Sequence, residues 1–429
     1  MQARTGTLLF PEKGLGKHKK AALLASNALY AMVICHEDDQ EYFAGSNRAV
    51  RTYAGGNIAP CRNDLDKIAT LLLPPEHTPL HVVSESPQIA PFILTALRLL
   101  GHTEVVRVWT DDATPQTIPP LPRTPIQSLV IKATGGIGNI VLNTCLVSAA
   151  LRHGWETWFC PTSDLNAPLD SLFLGHGRDG LHVVNQTELA HMSADICLNI
   201  EDHNNREKTD FFHGPYRVGT PGHEPGFAAQ FFTNILGVDV DLGDTFIGGA
   251  PTELPQSWRD RIVICPGSKV GWDSKRWPHM DALIRRLDNP VVLCRQEDLD
   301  AYATLDFLTP ITAGNAEYLT TLSLNEAACL LKSARGVIAN DCGPAHMAAA
   351  AGVPTLMLFG PSSMEKNEHK RTNVRSLNLD LDCQPCQGKD DGPGRLGPGN
   401  YGCELNYRCM TELDVGRVLT ELGRSVPGL

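Results

Sequence analysis

The sequence predicts an α/β protein: two parallel-sheet units in tandem, facing one another across a cleft, behind an additional N-terminal α+β region. Three observations carry that reading. Apolar runs of strand length alternate with helical stretches, the pattern of parallel sheets joined by crossover helices. The alternation opens near residue 128 and restarts near 262, each time as strand, turn and helix. Two proline-bearing stretches separate the parts: 111–125, whose five prolines allow neither a helix nor a central strand, and 249–258. The predicted divisions are 1–125, 126–255 and 256–429, in keeping with about 150 residues per domain for a chain of 429.

Within 1–125 the segments 29–38 and 41–45 read as strands and Gly55-Gly56-Asn57 as a turn. Strand 81–85, helix 91–101 and strand 104–109 follow, the helix ending on Gly101. The second part opens with strand 128–133, the glycine loop 134–139, a helix from Asn139 to about Gly154, and strand 156–160. A strand over 194–202 runs into Glu201 and Asp202, a polar loop spans 203–225, and 227–237 is helical. The third part begins with strand 261–265, helix 279–287 and strand 291–294. Helix 323–334 carries a capping box, Ser323 facing Glu326. Strand 336–340, loop 341–343, helix 344–351 and strand 355–360 close the unit, and no fixed-period repeat runs through the chain.

Charge excludes some functions. With 37 basic and 48 acidic residues the net charge is −11, so no nucleic-acid partner is expected. The first twenty residues lack an apolar core after their charges, so no secretory signal is read there, and no apolar run is long enough to span a membrane. Thirteen cysteines without an export signal read as reduced thiols in the cytoplasm. Cys265, Cys294 and Cys329 read as small core residues.

Three loops hold the chemistry. In 338–363 a strand ends at Asn340, Asp341 offers an acceptor in the loop, and Gly343 and Pro344 open a helix. Its free N–H groups and positive dipole end make an anion site, with His346 one turn in. As a loop acid, Asp341 is expected to matter little for packing. In 264–278 Ser268, Lys269, Lys275 and Arg276 surround glycines after a strand, a donor set suited to a diphosphate. In 132–144 Gly135, Gly136 and Gly138 precede a helix without forming a dinucleotide fingerprint or a P-loop, which leaves a nicotinamide-dependent oxidoreductase little support. The bland alternatives for the first two are a capped helix with a core histidine and a solvated basic turn, and the glycine segment could equally let an acceptor or donor approach the backbone at the helix start.

Together these segments resemble glycosyltransferase family 9, the ADP-heptose:lipopolysaccharide heptosyltransferases, over about residues 128–425. The family's Asp-Ser-Gly-Pro-x-His motif and the following Gly-x-Pro and Phe-Gly-Pro resemble Asp341–Pro361, with Cys342 in place of serine. Its Ser-Lys-Arg-Trp-Pro resembles Ser274–Pro278, and its Gly-x-Gly-Asp loop resembles the segment ending at Asn139. The resemblance implies a GT-B fold, two Rossmann-like domains, with the N-terminal one on the acceptor side and 256–429 binding the nucleotide sugar. It implies an enzyme of the hexosyl or heptosyl transfer class. Sugar would pass from a nucleotide-diphosphate donor to a hydroxyl of a glycan, lipid-linked or protein acceptor, with inversion and no metal at the transfer site. That chemistry implies lipopolysaccharide or other cell-surface glycan synthesis in the cytoplasm, at the inner membrane face. Ser268, Lys275, Asp341, Gly343 and His346 are the donor-binding candidates.

One departure matters. The family's base is an aspartate where this chain has Asn139, and an amide cannot take a proton from an acceptor hydroxyl at neutral pH. Glu201 and Asp202 are the candidate substitutes, against a plain reading as solvated loop acids. The alternative is a catalytically lapsed GT-B protein that binds a nucleotide sugar or glycan. Cys383, Cys386, Cys403 and Cys409 cluster in 383–409, a spacing suited to one structural zinc or iron ion. Some family members carry a similar tail that holds iron. The plain alternative is four reduced thiols on a loop.

Overall fold

The computed structural model describes residues 6–9, 30–36, 40, 49–53, 80–84, 105–109, 116–117, 126–163, 169–189, 194–201, 224–232, 236–269, 271–386 and 403–426. The strand expected over 41–45, the turn at 55–57, the helix over 91–101 and the loop 203–223 lie outside them.

The first sheet contains β1 (Gly6–Leu9), β2 (Tyr30–His36), β3 (Ala49–Tyr53), β4 (Leu80–Ser84), β5 (Val105–Trp109) and β6 (Gln116–Thr117). Their order is β3-β2-β1-β4-β5-β6, parallel throughout except for the antiparallel pair β5/β6. The sequence reading passed over β3. It also took 111–125 wholly as linker, whereas β6 forms there, at the sheet edge where flanking prolines are tolerated.

The second sheet contains β7 (Ser128–Gly135), β8 (Glu156–Ser163), β9 (Leu181–Val183) and β10 (Ile196–Glu201), all parallel in the order β10-β7-β8-β9. Strand β10 is anchored at its start by Asp195, whose Oδ2 accepts from Ser128 Oγ at 2.8 Å and from the backbone N–H groups of Gln127 and Ser128. The third sheet contains β11 (Ile262–Cys265), β12 (Val291–Leu293), β13 (Glu317–Leu319), β14 (Gly336–Asn340), β15 (Thr355–Leu358) and β16 (Val374–Leu377). It is parallel in the order β13-β12-β11-β14-β15-β16.

Among the described residues, the helices of eight residues or more are α1 (Ile137–Arg152), α2 (Gln296–Thr304), α3 (Leu324–Lys332), α4 (Gly343–Ala350) and α5 (Val415–Ser425). The expected capping box of α3 is present, with Glu326 Oε2 accepting from Ser323 N at 2.8 Å. Helices α2 and α5 and the strands β13 and β16 were not anticipated. Asp414 caps α5 by accepting from Arg417 N.

The inner strands of the third sheet are covered on both faces, which is why β11 and β12 are apolar at every position, unlike the edge strands β13 and β16. Along β11, Val263 and Cys265 join one core, while Ile262 and Ile264 join another with Trp277, Met280 and Leu422. The first of these cores continues without a break into the second sheet, through Leu129, Ile131, Leu146 and Phe159. Helices α1 and α4 pack against each other at this junction.

Candidate donor site at the strand switch point

In the third sheet the chain steps from β11 outward to β12 and β13, then returns to place β14 on the other side of β11. The loops after β11 and β14 therefore open side by side at the carboxyl edge, where open parallel sheets take their ligands. These are the two loops whose composition suggested a site.

Their side chains meet. Lys275 Nζ lies 2.7 Å from Asp341 Oδ2, and both residues are buried. His346 Nε2 lies 3.2 Å from Asp341 Oδ1, and Asn367 Nδ2 donates to Asp341 Oδ2 at 3.1 Å. Burial alone would raise the Asp341 carboxyl, but the Lys275 ammonium and the His346 ring outweigh it. They hold the carboxyl well below the usual carboxylate range. Asp341 is thus an ionised, fully engaged group and not a loop acid of little consequence for packing, as the sequence suggested. Lys275 also lies 4.9 Å from the centre of the Trp272 ring, a cation–π contact.

The frame around this pair is polar and tightly tied. Asn340, the last residue of β14, donates to Pro266 O at 2.7 Å and accepts from Trp277 N at 3.2 Å, stitching the two loops together. Tyr302 donates to Trp277 O at 2.9 Å, and Trp277 Nε1 donates to Leu413 O at 2.8 Å. Arg276 is clamped by Asp273 and Asp298, each at 2.9 Å. Two buried donors on the loop, Trp272 Nε1 and Arg276 Nη1, meet no acceptor among the described residues. Ser268 is buried in the same loop, its hydroxyl donating at 3.3 Å to the carbonyl of Lys269 and not reaching the Asp341 cluster.

The glycine segment of the second sheet approaches from the opposite side. Its three glycines do not all precede the helix: Gly135 ends β7, Gly136 is the N-cap of α1, and Gly138 and Asn139 lie in the first turn. A Cβ on Gly138 would fall 2.5 Å from Cδ2 of His346, so only glycine admits the ring. Gly343 was read as a donor-binding candidate. The neighbour it accommodates is Ile137, whose Cβ would lie 3.2 Å from a Cβ placed there. The N-termini of α1 and α4 therefore abut, each bringing free N–H groups to one place. Asn139 is half-buried there, its carbonyl accepting from Asn143 Nδ2 at 2.9 Å. Glu201 is the last residue of β10, its Cα paired with that of Thr134, one strand from the glycine turn. Asp202 lies outside the described residues.

Cys386 and Cys409 are buried, and Cys383 and Cys403 are half-buried. Burial pushes the Cys409 thiol up to about 12, and the neighbouring Cys386, Cys403 and Cys383 push the same way, so the four thiols share one neighbourhood. Among the described residues no three or more His, Cys, Asp or Glu side chains converge in a form that could hold a metal ion. The donor set is soft and suited to zinc or iron; its four members are gathered but not closed around a point. Of the cysteines read as core, Cys265 is buried, whereas Cys294 and Cys329 are half-buried.

Several residues of the site escaped the sequence reading. Thr245, Asn367, His369 and Arg371 come from stretches that read as loop or as charged surface. The run 365–371 is so rich in charge that nothing in it pointed to burial. The one available signal was Ser363, which caps the short helix Met364–Asn367 and so aims Asn367 inward.

Two parallel-sheet units joined at their carboxyl edges, with a buried cation and carboxylate at a switch point, define an α/β protein of the GT-B type. Residues 245–395 match the family described as Glycosyltransferase family 9 (heptosyltransferase). The chain is 43% identical to lipopolysaccharide heptosyltransferase 1 of Pseudomonas aeruginosa over 112 residues, 25% of this chain and 31% of that protein. It is 33% identical to lipopolysaccharide heptosyltransferase 2 of Salmonella typhimurium over 132 residues, 29% of this chain and 37% of that protein. The match thus spans about a third of the length of these relatives. Among solved structures it is similar to E. coli ADP-heptose lps heptosyltransferase II, at 15% identity and a TM-score of 0.46, covering 70% of this chain and 98% of that one. It is also similar to the iron-containing dodecameric glycosyltransferase TibC of enterotoxigenic E. coli, at 16% identity and a TM-score of 0.49, covering 73% of this chain and 81% of that one.

Proposed function

We propose that this protein is a glycosyltransferase that moves a heptose or similar sugar from a nucleotide-diphosphate donor to a hydroxyl acceptor. The observation that carries the reading is the buried Lys275–Asp341 pair at the switch point of the family 9 segment. Lys275 and the N-terminus of α4 would stabilise the charge that develops on the departing diphosphate, the largest contribution in most such reactions. Asp341 orients Lys275 and offers acceptor capacity to a donor hydroxyl. Trp272 Nε1 and Arg276 Nη1, on the same loop, are donors without an acceptor among the described residues.

The acceptor proton needs a base, and Asn139 cannot serve. Glu201 is the candidate, because β10 ends beside the glycine turn. The acceptor class is a lipopolysaccharide-type glycan, another lipid-linked glycan or a protein. Such an acceptor places the work at the cytoplasmic face of the inner membrane; among the described residues no helix is long and apolar enough to cross one. The four clustered cysteines hold one zinc or iron ion in a structural role, apart from the transfer site.

A second reading, a binding protein that has lost transfer, is favoured by Asn139 alone. A thermal-shift screen with ADP-, GDP-, UDP- and dTDP-sugars tests the site first. A rise in Tm with one nucleotide class, abolished by Lys275→Ala, is expected. No shift with any of them refutes the donor site. Release of free nucleoside diphosphate in the presence of acceptor then separates transfer from binding alone.

A further inference from the structure

The cluster around Asp341 continues beyond the groups that would meet a donor. His346 Nδ1 lies 3.1 Å from His369 Nε2, and His369 Nδ1 lies 3.2 Å from Thr245 Oγ1. All three residues are buried. Thr245 belongs to the second-sheet unit, and His346 and His369 to the third. Arg371 fixes the threonine from below, donating to Thr245 O at 2.7 Å and to Gly243 O at 3.0 Å.

Proton positions along this line follow from its first member. Asp341 is ionised and can only accept, so His346 must carry its proton on Nε2 to bond with it. In neutral His346 the other nitrogen, Nδ1, is then an acceptor, and His369 Nε2–H meets it. His369 Nδ1 in turn accepts from the Thr245 hydroxyl. Packing restricts the orientation of the His346 ring, whose Cδ2 edge lies against Gly138 where a Cβ would be 2.5 Å away.

We infer that His369, backed by Thr245, is a positioning residue for the donor site: its bond to Nδ1 holds the His346 ring where Nε2–H meets Asp341 and keeps Asp341 turned toward Lys275. This rests on the donor-site reading above. Without a donor at Nδ1, that buried lone pair is left unpaired and the ring is held through Nε2 alone, which loosens the pair that would bind the donor. The same line links the second-sheet unit to the site, so the packing of one unit sets the ring position in the other.

The test combines a spectroscopic signature with kinetics. In the ¹⁵N-histidine-labelled full chain, His346 is assigned by the signals lost in His346→Gln, and its ring shifts should report the Nε2–H form. His369→Leu should keep the Nε2–H form and move the Nδ1 signal downfield, toward an acceptor nitrogen without a hydrogen bond. With ADP-heptose as donor, it should raise the donor KM by about tenfold, the size of one orphaned buried bond, and leave the acceptor KM unchanged. His369→Gln keeps an N–H donor and should restore most of the affinity. Thr245→Val should give a smaller shift in the same direction while disturbing the fold less. An Nδ1–H form in the unmodified protein overturns the inference. So does an unchanged donor KM in folded His369→Leu, or a lowered kcat at constant KM, which marks a smaller active fraction and a structural role only. If the unmodified protein neither binds ADP nor uses ADP-heptose, the donor-site reading fails, and the ring shifts still decide the proton arrangement independently.

Discussion

Asp341 illustrates how one residue changes meaning when its surroundings are known. Its carboxyl is held below the usual range despite burial, so the folded state prefers the ionised form. The resulting stability is fully present above the unfolded value near pH ~4 and is lost as pH falls from there toward the folded value. Asp341→Asn leaves the buried Lys275 ammonium uncompensated and should destabilise by about 3–5 kcal/mol at pH 7. Urea titrations of both proteins at pH 7 and near pH ~3 should show that deficit shrinking in acid. A deficit independent of pH would mean the carboxyl is not ionised in the fold. Gly138 offers a second check. Gly138→Ala should cost about 1–3 kcal/mol, because the methyl meets the His346 ring. In the double variant with His346→Ala the two losses should not add, which a double-mutant cycle reads directly.

At the scale of elements, α1 begins with little help. Its N-cap is Gly136, which makes no side-chain cap, and its first turn holds no acidic residue. Asn139→Asp supplies a charge to that positive end and should stabilise the fold by about 0.3–1 kcal/mol. If Glu201 is the base, turnover should stay within about threefold in Asn139→Asp and fall about 10²–10⁴-fold in Glu201→Gln. The opposite pattern would move the base to position 139. Elements with strong local signals were legible in the sequence: β7, α1, the α3 capping box, and β14 with α4. Short edge strands such as β3, β9 and β16 were not, because three to five residues carry little periodicity and their pairing is decided by neighbours far along the chain. The site divides the same way. Lys275, Asp341 and His346 stood out by motif. Thr245, Asn367 and His369 did not, since only tertiary contact buries them.

At the scale of the whole molecule, two polar centres stand out among the described residues: the proposed donor site at the carboxyl edge and the cysteine cluster near the C-terminus. A metal ion at the second would reverse the upward push on Cys409, because a cation favours the thiolate that burial disfavours. Elemental analysis of protein purified without chelator should give close to one zinc or iron per chain. Removing it should expose four further thiols to a thiol reagent while the far-ultraviolet circular dichroism of the parallel sheets persists. Metal-free protein with those four thiols already reactive would refute the assignment.

The strand orders carry a consequence for how the chain is made. In each sheet the strand nearest the N-terminus, β1, β7 or β11, lies in the interior, and the next strand to be translated pairs directly beside it. Each sheet therefore grows outward from its oldest strand and draws on a single uninterrupted stretch of chain. A ribosome that has released residues up to 255 has delivered every strand of the first two sheets, which can close before the third has begun. Pairing errors between sheets are then limited by the timing of synthesis as well as by the fit of the finished surfaces.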